Sequence, residues 1–189
     1  MVRIILFLAA FSLIGEPSAE ARKLPKQLSA RQIDVAKEII TYLKENHPAE
    51  DPLEYIAIAW VESGLTKTAI SRTGDYGVLQ VNYRINKKKL KKKLGINSRK
   101  ELMELENNID ASVLIMNILR RKYRHCRGNK TYSCYNGGPG WKRVQERCLK
   151  DCSDSCRKCK RAARYGKLTN PMKRYLKRKY ISLFTAPKI

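Results

Sequence analysis

The sequence predicts a mainly α-helical fold in a single domain, with one short hairpin or loop among the helices. Three observations support this prediction. Apolar residues recur at helical spacing in several segments that begin with helix-capping patterns. The stretch from Gly64 to Gly77 is instead rich in Gly, Thr, Ser and Asp, which is typical of a loop or a short hairpin. No internal repeat, long linker or low-complexity tract divides the 189 residues, a length that suits one domain.

The first residues predict a secretory signal peptide. A charged start at Arg3 precedes the apolar run Ile4–Ile14, and Ala19-Glu20-Ala21 supplies a small-residue cleavage pattern. The apolar run is too short to span a bilayer. We therefore expect residues 1–21 to be removed, and residues 22–189 to be exported to the periplasm or the cell exterior as one domain.

Capping patterns predict the first two helices. Ser29 and Gln32 form a capping-box pair ahead of "ARQIDVAKEIITYLKEN", in which the apolar residues follow a helical period. The Asp-Pro pair at positions 51–52 starts a second helix through "LEYIAIAWVES", which we expect to stop at Gly64.

The remaining helices follow from similar signals. Ser98 and Glu101 open one helix. The segment "NIDASVLIMNILRRKYR" is apolar on most of its face, so we expect it to be the central buried helix. A final basic helix begins near Pro171 and ends before Pro187.

The chain contains six cysteines, which export to an oxidising compartment would pair as disulfides. Six cysteines allow fifteen pairings. Zinc is the alternative, but four of the six are spaced x3, x3 and x2, which differs from the two separated pairs of most zinc sites. Residues 145–166 have few large apolar side chains, so we expect a surface insertion held by disulfides. The disulfide candidates are Cys126, Cys134, Cys148, Cys152, Cys156 and Cys159.

The chain is strongly basic, with a net charge of +23 and a dense lysine run, "KKKLKKK", at Lys87–Lys93. Such a charge attracts polyanions, including nucleic acid, anionic lipid surfaces and acidic wall polymers. Export and the absence of a recognition motif argue against nucleic acid. A strongly solvated face is the alternative explanation for much of the charge.

Glu62 is the candidate catalytic residue, because it directly follows the apolar segment "IAIAWV". A carboxyl group beside apolar surface is shifted toward its neutral form, which suits a general acid near neutral pH. The alternative is an acid that ends a helix and points into water. Ser63 lacks the G-x-S-x-G context of a nucleophile, and we expect His47 and His125 to be surface or loop residues.

Four sequence elements occur in an order that resembles a known family. They are "ESG" at Glu62, "GVLQ" at Gly77, "CYNGG" at Tyr135, and the tyrosine of "NPMKRYLKRKY". This set resembles the lytic transglycosylases with a soluble-transglycosylase, goose-type-lysozyme-like catalytic domain, over about residues 52–183. The resemblance implies a lysozyme-like (α+β) fold, with the hairpin or loop beside the active-site helix and the cysteine-rich segment as a disulfide-rich insertion.

The resemblance also implies site roles. Glu62 would be the single catalytic acid/base, and Tyr175, or Tyr180 in its place, would bond to it. Cys134 stands where the family has a small residue, and a bond to Cys126 would tie the Tyr135 loop to the preceding helix. The implied substrate-binding residues are Ser63, Gly77, Val78, Leu79, Gln80, Tyr135 and Asn136.

The implied reaction is cleavage of peptidoglycan between N-acetylmuramic acid and N-acetylglucosamine, forming 1,6-anhydro ends without metal or cofactor. A lysozyme-type hydrolase is the alternative, for which Asp75 could be a second carboxylate, although we favour a turn role for it. Asn82 stands near where goose-type lysozymes carry an Asp, which favours the transglycosylase. A non-catalytic cationic wall- or membrane-binding protein is the third possibility. We expect a monomer that acts on peptidoglycan, with anionic wall polymers, a membrane surface or a trans-envelope assembly as candidate further partners.

Overall fold

A computed structural model describes residues 24–128, 130–138, 169–180 and 182 of the chain. The predicted signal peptide and the cysteine-rich segment 145–166 lie outside these residues. Two short antiparallel strands pair Asp75 with Asn82 and Tyr76 with Val81. The elements are α1 (Ala30–Asn46), α2 (Pro52–Ser63), β1 (Asp75–Tyr76), β2 (Val81–Asn82), α3 (Tyr83–Leu94), α4 (Arg99–Met103), α5 (Leu105–Lys122), a 3-10 turn (Arg124–Cys126), α6 (Lys130–Gly137) and the helical residues 169–179, called α7.

This arrangement confirms the predicted mainly helical fold with a short hairpin. The hairpin, residues 75–82, begins within the stretch from Gly64 to Gly77 and leads into α3. Across the described ranges, none of the helices is both long and apolar enough to cross a membrane.

The capping patterns that predicted α1 and α2 are present in the structure. The Ser29 hydroxyl accepts from the Gln32 backbone N–H at 3.3 Å, and the Gln32 side chain accepts from the Ser29 N–H at 3.0 Å. At α2 the Asp51 carboxylate accepts from the Leu53 N–H at 3.0 Å. The helix then ends at Gly64, which has the left-handed φ of 66°.

The central buried helix is α2, which corrects the prediction that the later helix would be central. Every residue from Tyr55 to Val61 is at most 4% exposed. By contrast, α5 buries one face and leaves residues such as Leu114 and Ile118 half-exposed. The core around α2 is completed by side chains from α1, α5, α6 and α7.

Two helices form where no helix was predicted. The lysine run lies in α3, which is capped by Asn82 and buries only Tyr83 and Leu90. Tyr135, which we expected in a loop, lies in α6. A disulfide between Cys126 and Cys134 joins α6 to the preceding 3-10 turn, which confirms this predicted pairing. The other four cysteines lie outside the described residues.

The last helix is already present at residue 169, two residues before Pro171, near which its start was predicted. Proline is compatible with a first helical turn because the amide that it lacks would have no partner there. Met172 and Leu176 of α7 pack in the core around α2.

Candidate active site

A cleft of about 440 Å³ opens beside the end of α2. It brings together the candidate acid Glu62 with Gln80, Tyr135 and Asn136, which are 18 to 74 positions away in the sequence. The cleft is lined by residues of α2, the hairpin, α3, α5 and α6 and by the residues that directly follow α5 and α6: Glu62, Asp75, Gln80, Val81, Asn82, Ile85, Asn86, Lys89, Ile115, Ile118, Leu119, Lys122, Tyr123, Cys134, Tyr135, Asn136 and Gly138.

Glu62 lies on the last turn of α2, at the boundary between the core and the cleft. The residue before it, Val61, is fully buried, whereas Glu62 itself is half-buried and lines the cleft. This position combines an apolar helix behind the carboxyl group with access to a ligand in front of it. A carboxyl group in such a position can exchange a proton with a ligand in the cleft.

Ser63 is buried behind the cleft surface. Its hydroxyl lies 3.0 Å from the Ala59 carbonyl and 2.7 Å from the Val78 carbonyl, and it accepts from the Thr66 N–H at 3.1 Å. These contacts join the end of α2 to the "GVLQ" segment. Ser63 is thus placed to position its neighbours, and its exposed fraction of 2% leaves little surface for a substrate.

Val78 and Leu79 belong to the core, with exposed fractions of 1% and 0%. They support the wall of the cleft from behind rather than forming its surface. Only Gln80 of the "GVLQ" segment lines the cleft.

Gln80 adopts a left-handed backbone with φ of 51°. Its side-chain amide donates to the carbonyls of Ala69 at 3.0 Å and Gly77 at 2.8 Å. Both amide hydrogens donate to the loop, so the Gln80 side chain can offer a ligand only its carbonyl oxygen, as a hydrogen-bond acceptor.

Tyr135 joins α6 to the "GVLQ" segment. Its hydroxyl donates to the Leu79 carbonyl at 2.9 Å and lies 3.0 Å from the Ser112 hydroxyl. Burial of the hydroxyl raises the pKa of Tyr135, and the charges of Glu62 and Asp75 act in the same direction. The hydroxyl is therefore occupied by the fold, whereas Asn136 and the rest of Tyr135 line the cleft together with Cys134.

Asn108 was missed by sequence reasoning, although it fixes this wall of the cleft. It is fully buried, accepts from the Leu79 N–H at 2.8 Å, and donates to the carbonyls of Tyr76 at 2.8 Å and Leu102 at 2.9 Å. A polar residue on the buried face of α5 was the available signal, because a buried amide has to find partners.

Asp75 has the predicted turn role and also lines the cleft. One carboxylate oxygen accepts from the hydroxyls of Ser71 at 2.7 Å and Thr73 at 2.5 Å. The other accepts from the Asn82 side chain at 2.7 Å. Asn82 in turn caps α3 by accepting from the Ile85 N–H at 3.0 Å. Asp75 thus organises the hairpin that forms one part of the cleft.

Tyr175 and Tyr180 differ from their predicted position. The Tyr175 hydroxyl donates to the Lys26 carbonyl at 3.3 Å, and the Tyr180 hydroxyl accepts from the Leu28 N–H at 2.9 Å. Burial and the hydrogen bond to Tyr180 raise the pKa of Tyr175 to about 12. Neither tyrosine lines the cleft. Their hydroxyls hold the chain that leads into α1. The contacts with Lys26 and Leu28 thus replace the expected bond to Glu62.

The sulfurs of Cys126 and Cys134 lie within 4.8 Å of a ring nitrogen of His125, a grouping that could in principle hold a metal ion. Both sulfurs are joined in the disulfide, so neither is available as a thiolate ligand.

The fold and the cleft together define the class of this protein. A buried helix with a glutamate in its last turn, a short hairpin beside it, and a cleft between them are the features of a lysozyme-like domain. Residues 42–154 match the family described as the transglycosylase SLT domain, which is more than half of the chain. The chain therefore belongs to this family, and the predicted resemblance is confirmed.

Named relatives support the same assignment. Membrane-bound lytic murein transglycosylase C from Yersinia pestis (strain Pestoides F) is 37% identical over 94 residues, covering 45% of this chain and 26% of the relative. The protein of the same name from Yersinia pseudotuberculosis serotype O:1b (strain IP 31758) matches with the same identity and coverage. The match thus spans about a quarter of the length of these relatives.

Proposed function

We propose that this chain cleaves the glycan strands of peptidoglycan between N-acetylmuramic acid and N-acetylglucosamine, and that Glu62 is the single acid/base. The observation that carries the proposal is the half-buried Glu62 carboxyl group in one cleft with Gln80, Tyr135 and Asn136. Membership of the transglycosylase SLT domain family supports it.

The proposed reaction has two proton transfers. Glu62 protonates the glycosidic oxygen, so that the bond to C1 of muramic acid breaks and the released strand carries a new hydroxyl group. The acetamido group of the same sugar stabilises the positive charge that develops at C1. The Glu62 carboxylate then takes the proton of the 6-hydroxyl, whose oxygen bonds to C1 and forms the 1,6-anhydro ring.

One carboxylate is sufficient for this route because the nucleophile is part of the substrate. An intramolecular hydroxyl reacts at a high effective concentration, so no second acid is needed to position water. The hydrogen bonds of Asp75 agree with a single-carboxylate route, since its oxygens already accept from Ser71, Thr73 and Asn82.

Hydrolysis of the same bond is a second candidate, and one observation favours it. Asp75 lines the same cleft as Glu62, so a second carboxylate is within the site. An inverting hydrolase would use such a group to activate water at a carboxylate separation of roughly 6.5–9.5 Å. The third candidate, a non-catalytic cationic protein, draws its support from the net charge of +23.

Export is part of the proposal, because peptidoglycan lies outside the cytoplasmic membrane. The predicted signal peptide at residues 1–21 supports it. Binding of acidic wall polymers, a membrane surface or a trans-envelope assembly stays a prediction.

Digestion of purified peptidoglycan sacculi, followed by mass spectrometry of the released fragments, tests the proposal. We expect fragments that end in 1,6-anhydromuramic acid. We expect Glu62→Gln to release them at least about 100-fold more slowly, because general acid–base catalysis contributes about 10²–10⁴-fold. The control is Glu45→Gln, the same chemical change at an exposed position of α1.

Each alternative gives a different result. Fragments with reducing-end muramic acid and no anhydro ring would identify a hydrolase. In that case Asp75→Asn should also abolish release in a protein that remains folded. Release at the wild-type rate by Glu62→Gln would remove the single-glutamate mechanism, and absence of release by the wild type would leave the non-catalytic alternative.

A further inference from the structure

Two lysines line the cleft on the faces of two different helices. On α3 the lining residues follow i, i+1, i+4 spacing, and on α5 they follow i, i+3, i+4, i+7 spacing, so each set lies on one helical face. The α3 set is Ile85, Asn86 and Lys89, and the α5 set is Ile115, Ile118, Leu119 and Lys122. On both helices the lysine is the last residue of the set.

Both lysines lie about two helical turns along their helices from the residues that contact the hairpin. Lys89 follows Asn82, the partner of Asp75, by seven residues, or about 10 Å of helix. Ile115 packs in the cluster that includes Tyr76 of the hairpin, and Lys122 lies a further seven residues, about 10 Å, along α5. The cleft therefore has the acid Asp75 in the hairpin and a basic part that lies along α3 and α5.

The positive charge of this part is not compensated by the described residues. Tyr83–Leu94, the whole of α3, contains no acid. Neither Lys89 nor Lys122 forms an ion pair within the described part of the chain. The Lys122 ammonium group lies 5.5 Å from the centre of the Tyr123 ring, an arrangement that leaves its charge available to an anion.

The apolar neighbours favour a ligand with a sugar or peptide body. Ile85 is 71% exposed, and it lines the cleft together with the half-exposed Ile115 and Ile118. Apolar surface next to two ammonium groups suits a molecule that carries a carboxylate on a largely uncharged frame.

We propose that Lys89 and Lys122 select glycan that carries a carboxylate, and that they bind this group in the part of the cleft lined by α3 and α5. This inference rests on the proposed function, because it takes the ligand to be a peptidoglycan strand. Peptidoglycan has two sources of such a carboxylate: the lactyl group of a muramic acid without peptide, and the free acids of an attached stem peptide. Both are carboxylates, and the experiment separates them.

Calorimetric titration of three tetrasaccharides tests the proposal. The first is a neutral N-acetylglucosamine tetramer, the second alternates N-acetylglucosamine with muramic acid that has a free lactyl group, and the third carries stem peptides on the muramic acids. All are titrated at low salt into a Glu62→Gln parent, which prevents turnover. Lys89→Gln/Lys122→Gln in this parent is the test variant. Lys91→Gln/Arg121→Gln is the control, with the same charge change on exposed positions of the same helices outside the cleft.

We expect the parent to bind at least one carboxylate-bearing tetrasaccharide roughly tenfold more tightly than the neutral one, and the test variant to lose this advantage. The control variant should keep it. Preference for the second tetrasaccharide over the third identifies the lactyl group, and the reverse preference identifies the stem peptide. Thermal unfolding of each variant establishes that it is folded.

The proposal is overturned if the parent shows no preference for carboxylates, if it binds none of the three sugars, or if both variants lose the preference equally. Failure of the proposed function has a separate signature. Cleavage of the same tetrasaccharides by protein with Glu62 intact reports on catalysis, whereas the titration reports on recognition of charge. A chain that prefers carboxylates and never cleaves would retain the binding inference and lose the enzymatic one.

Discussion

Gly77 packs closely against the Asn108 side chain beneath the candidate active site. Gly77 has a φ of 78°, and a β-carbon built on it would lie 2.4 Å from the Asn108 side-chain nitrogen. Asn108 cannot move away without losing its bonds to Leu79, Tyr76 and Leu102. Glycine is thus required at this position for two reasons: the left-handed backbone and the space that Asn108 occupies.

We expect Gly77→Ala to destabilise the protein by about 2–4 kcal/mol and to reduce cleavage, because the clash displaces the backbone before Gln80. Gly74→Ala is the matched control. Its φ of 79° imposes the same backbone strain, but a β-carbon there has nothing within 4 Å, so we expect only about 1 kcal/mol. Urea unfolding measures both costs, and equal losses in the two variants would contradict the role of Asn108.

The sequence predicts single residues well where the surrounding pattern is local. Glu62 directly follows an apolar helix, which made it the candidate acid. Gln80 was indicated by the resemblance of "GVLQ" to the family rather than by a local pattern. The supports of the site could not be predicted in the same way. Ser63 contacts Val78, and both Tyr135 and Asn108 contact Leu79. The two residues of each of these contacts are separated by 15 to 56 positions in the sequence.

At the scale of elements, one charged network joins α2, α5 and α6. The Arg120 guanidinium of α5 donates to Glu50 at 2.9 Å and to Glu54 at 2.6 Å. The Tyr55 hydroxyl donates to Glu50 at 2.8 Å, and the Tyr132 hydroxyl of α6 donates to Glu54 at 2.7 Å. Because α6 carries Tyr135 and Asn136, this network helps to hold the second wall of the cleft.

The contribution of this network to the stability of the fold depends on pH. Burial disfavours the charged form of Glu50, but hydrogen bonds from Arg120 and Tyr55 outweigh it and lower the pKa of Glu50. A carboxyl group with a lowered pKa in the folded state contributes stability above its unfolded pKa of about 4.3. That contribution is lost as the pH falls through the folded pKa.

We therefore expect Arg120→Leu to cost about 2–3 kcal/mol at pH 7, where it leaves two mostly buried carboxylates unpaired. The cost should be smaller at pH 3, where the Glu50 carboxyl group, no longer stabilised by Arg120, takes up a proton. Lys67→Leu, which removes the exposed ion pair with Glu38, is the control and should cost less than about 1 kcal/mol at either pH. Chemical unfolding at the two pH values measures the difference, and a pH-independent cost for Arg120→Leu would contradict this account.

The elements themselves were predictable to different degrees. Ser29 and Asp51 mark α1 and α2 because their caps are local, and both helices begin where expected. Two helices escaped prediction for physical reasons. The lysine run buries only Tyr83 and Leu90, so α3 has little apolar periodicity to detect. The eight-residue α6 is secured by the disulfide to Cys126 and by tertiary contacts, which leave no periodic pattern in the sequence.

At the scale of the whole molecule, the positive charge and the fold are separate features. The core around α2 is apolar, and the exposed lysines of α3 contribute almost nothing to it. The net charge of +23 in 189 residues instead affects how the protein associates with other molecules, because it creates a long-range attraction for polyanions. An acidic cell wall is such a polyanion, and retention on it would keep the domain near its proposed substrate.

Retention of this kind should weaken as the salt concentration rises. The Debye length falls from about 10 Å at 0.1 M salt to about 3 Å at 1 M, so attraction between exposed charges is largely screened at high salt. We expect Glu62→Gln protein to co-sediment with sacculi at 50 mM NaCl and to be mostly released at 500 mM. Replacing Lys87, Lys88 and Lys91, which are exposed on α3 outside the cleft, with Gln should lower the salt dependence. Binding that is unchanged between the two salt concentrations would show that surface charge does not hold the protein on the wall.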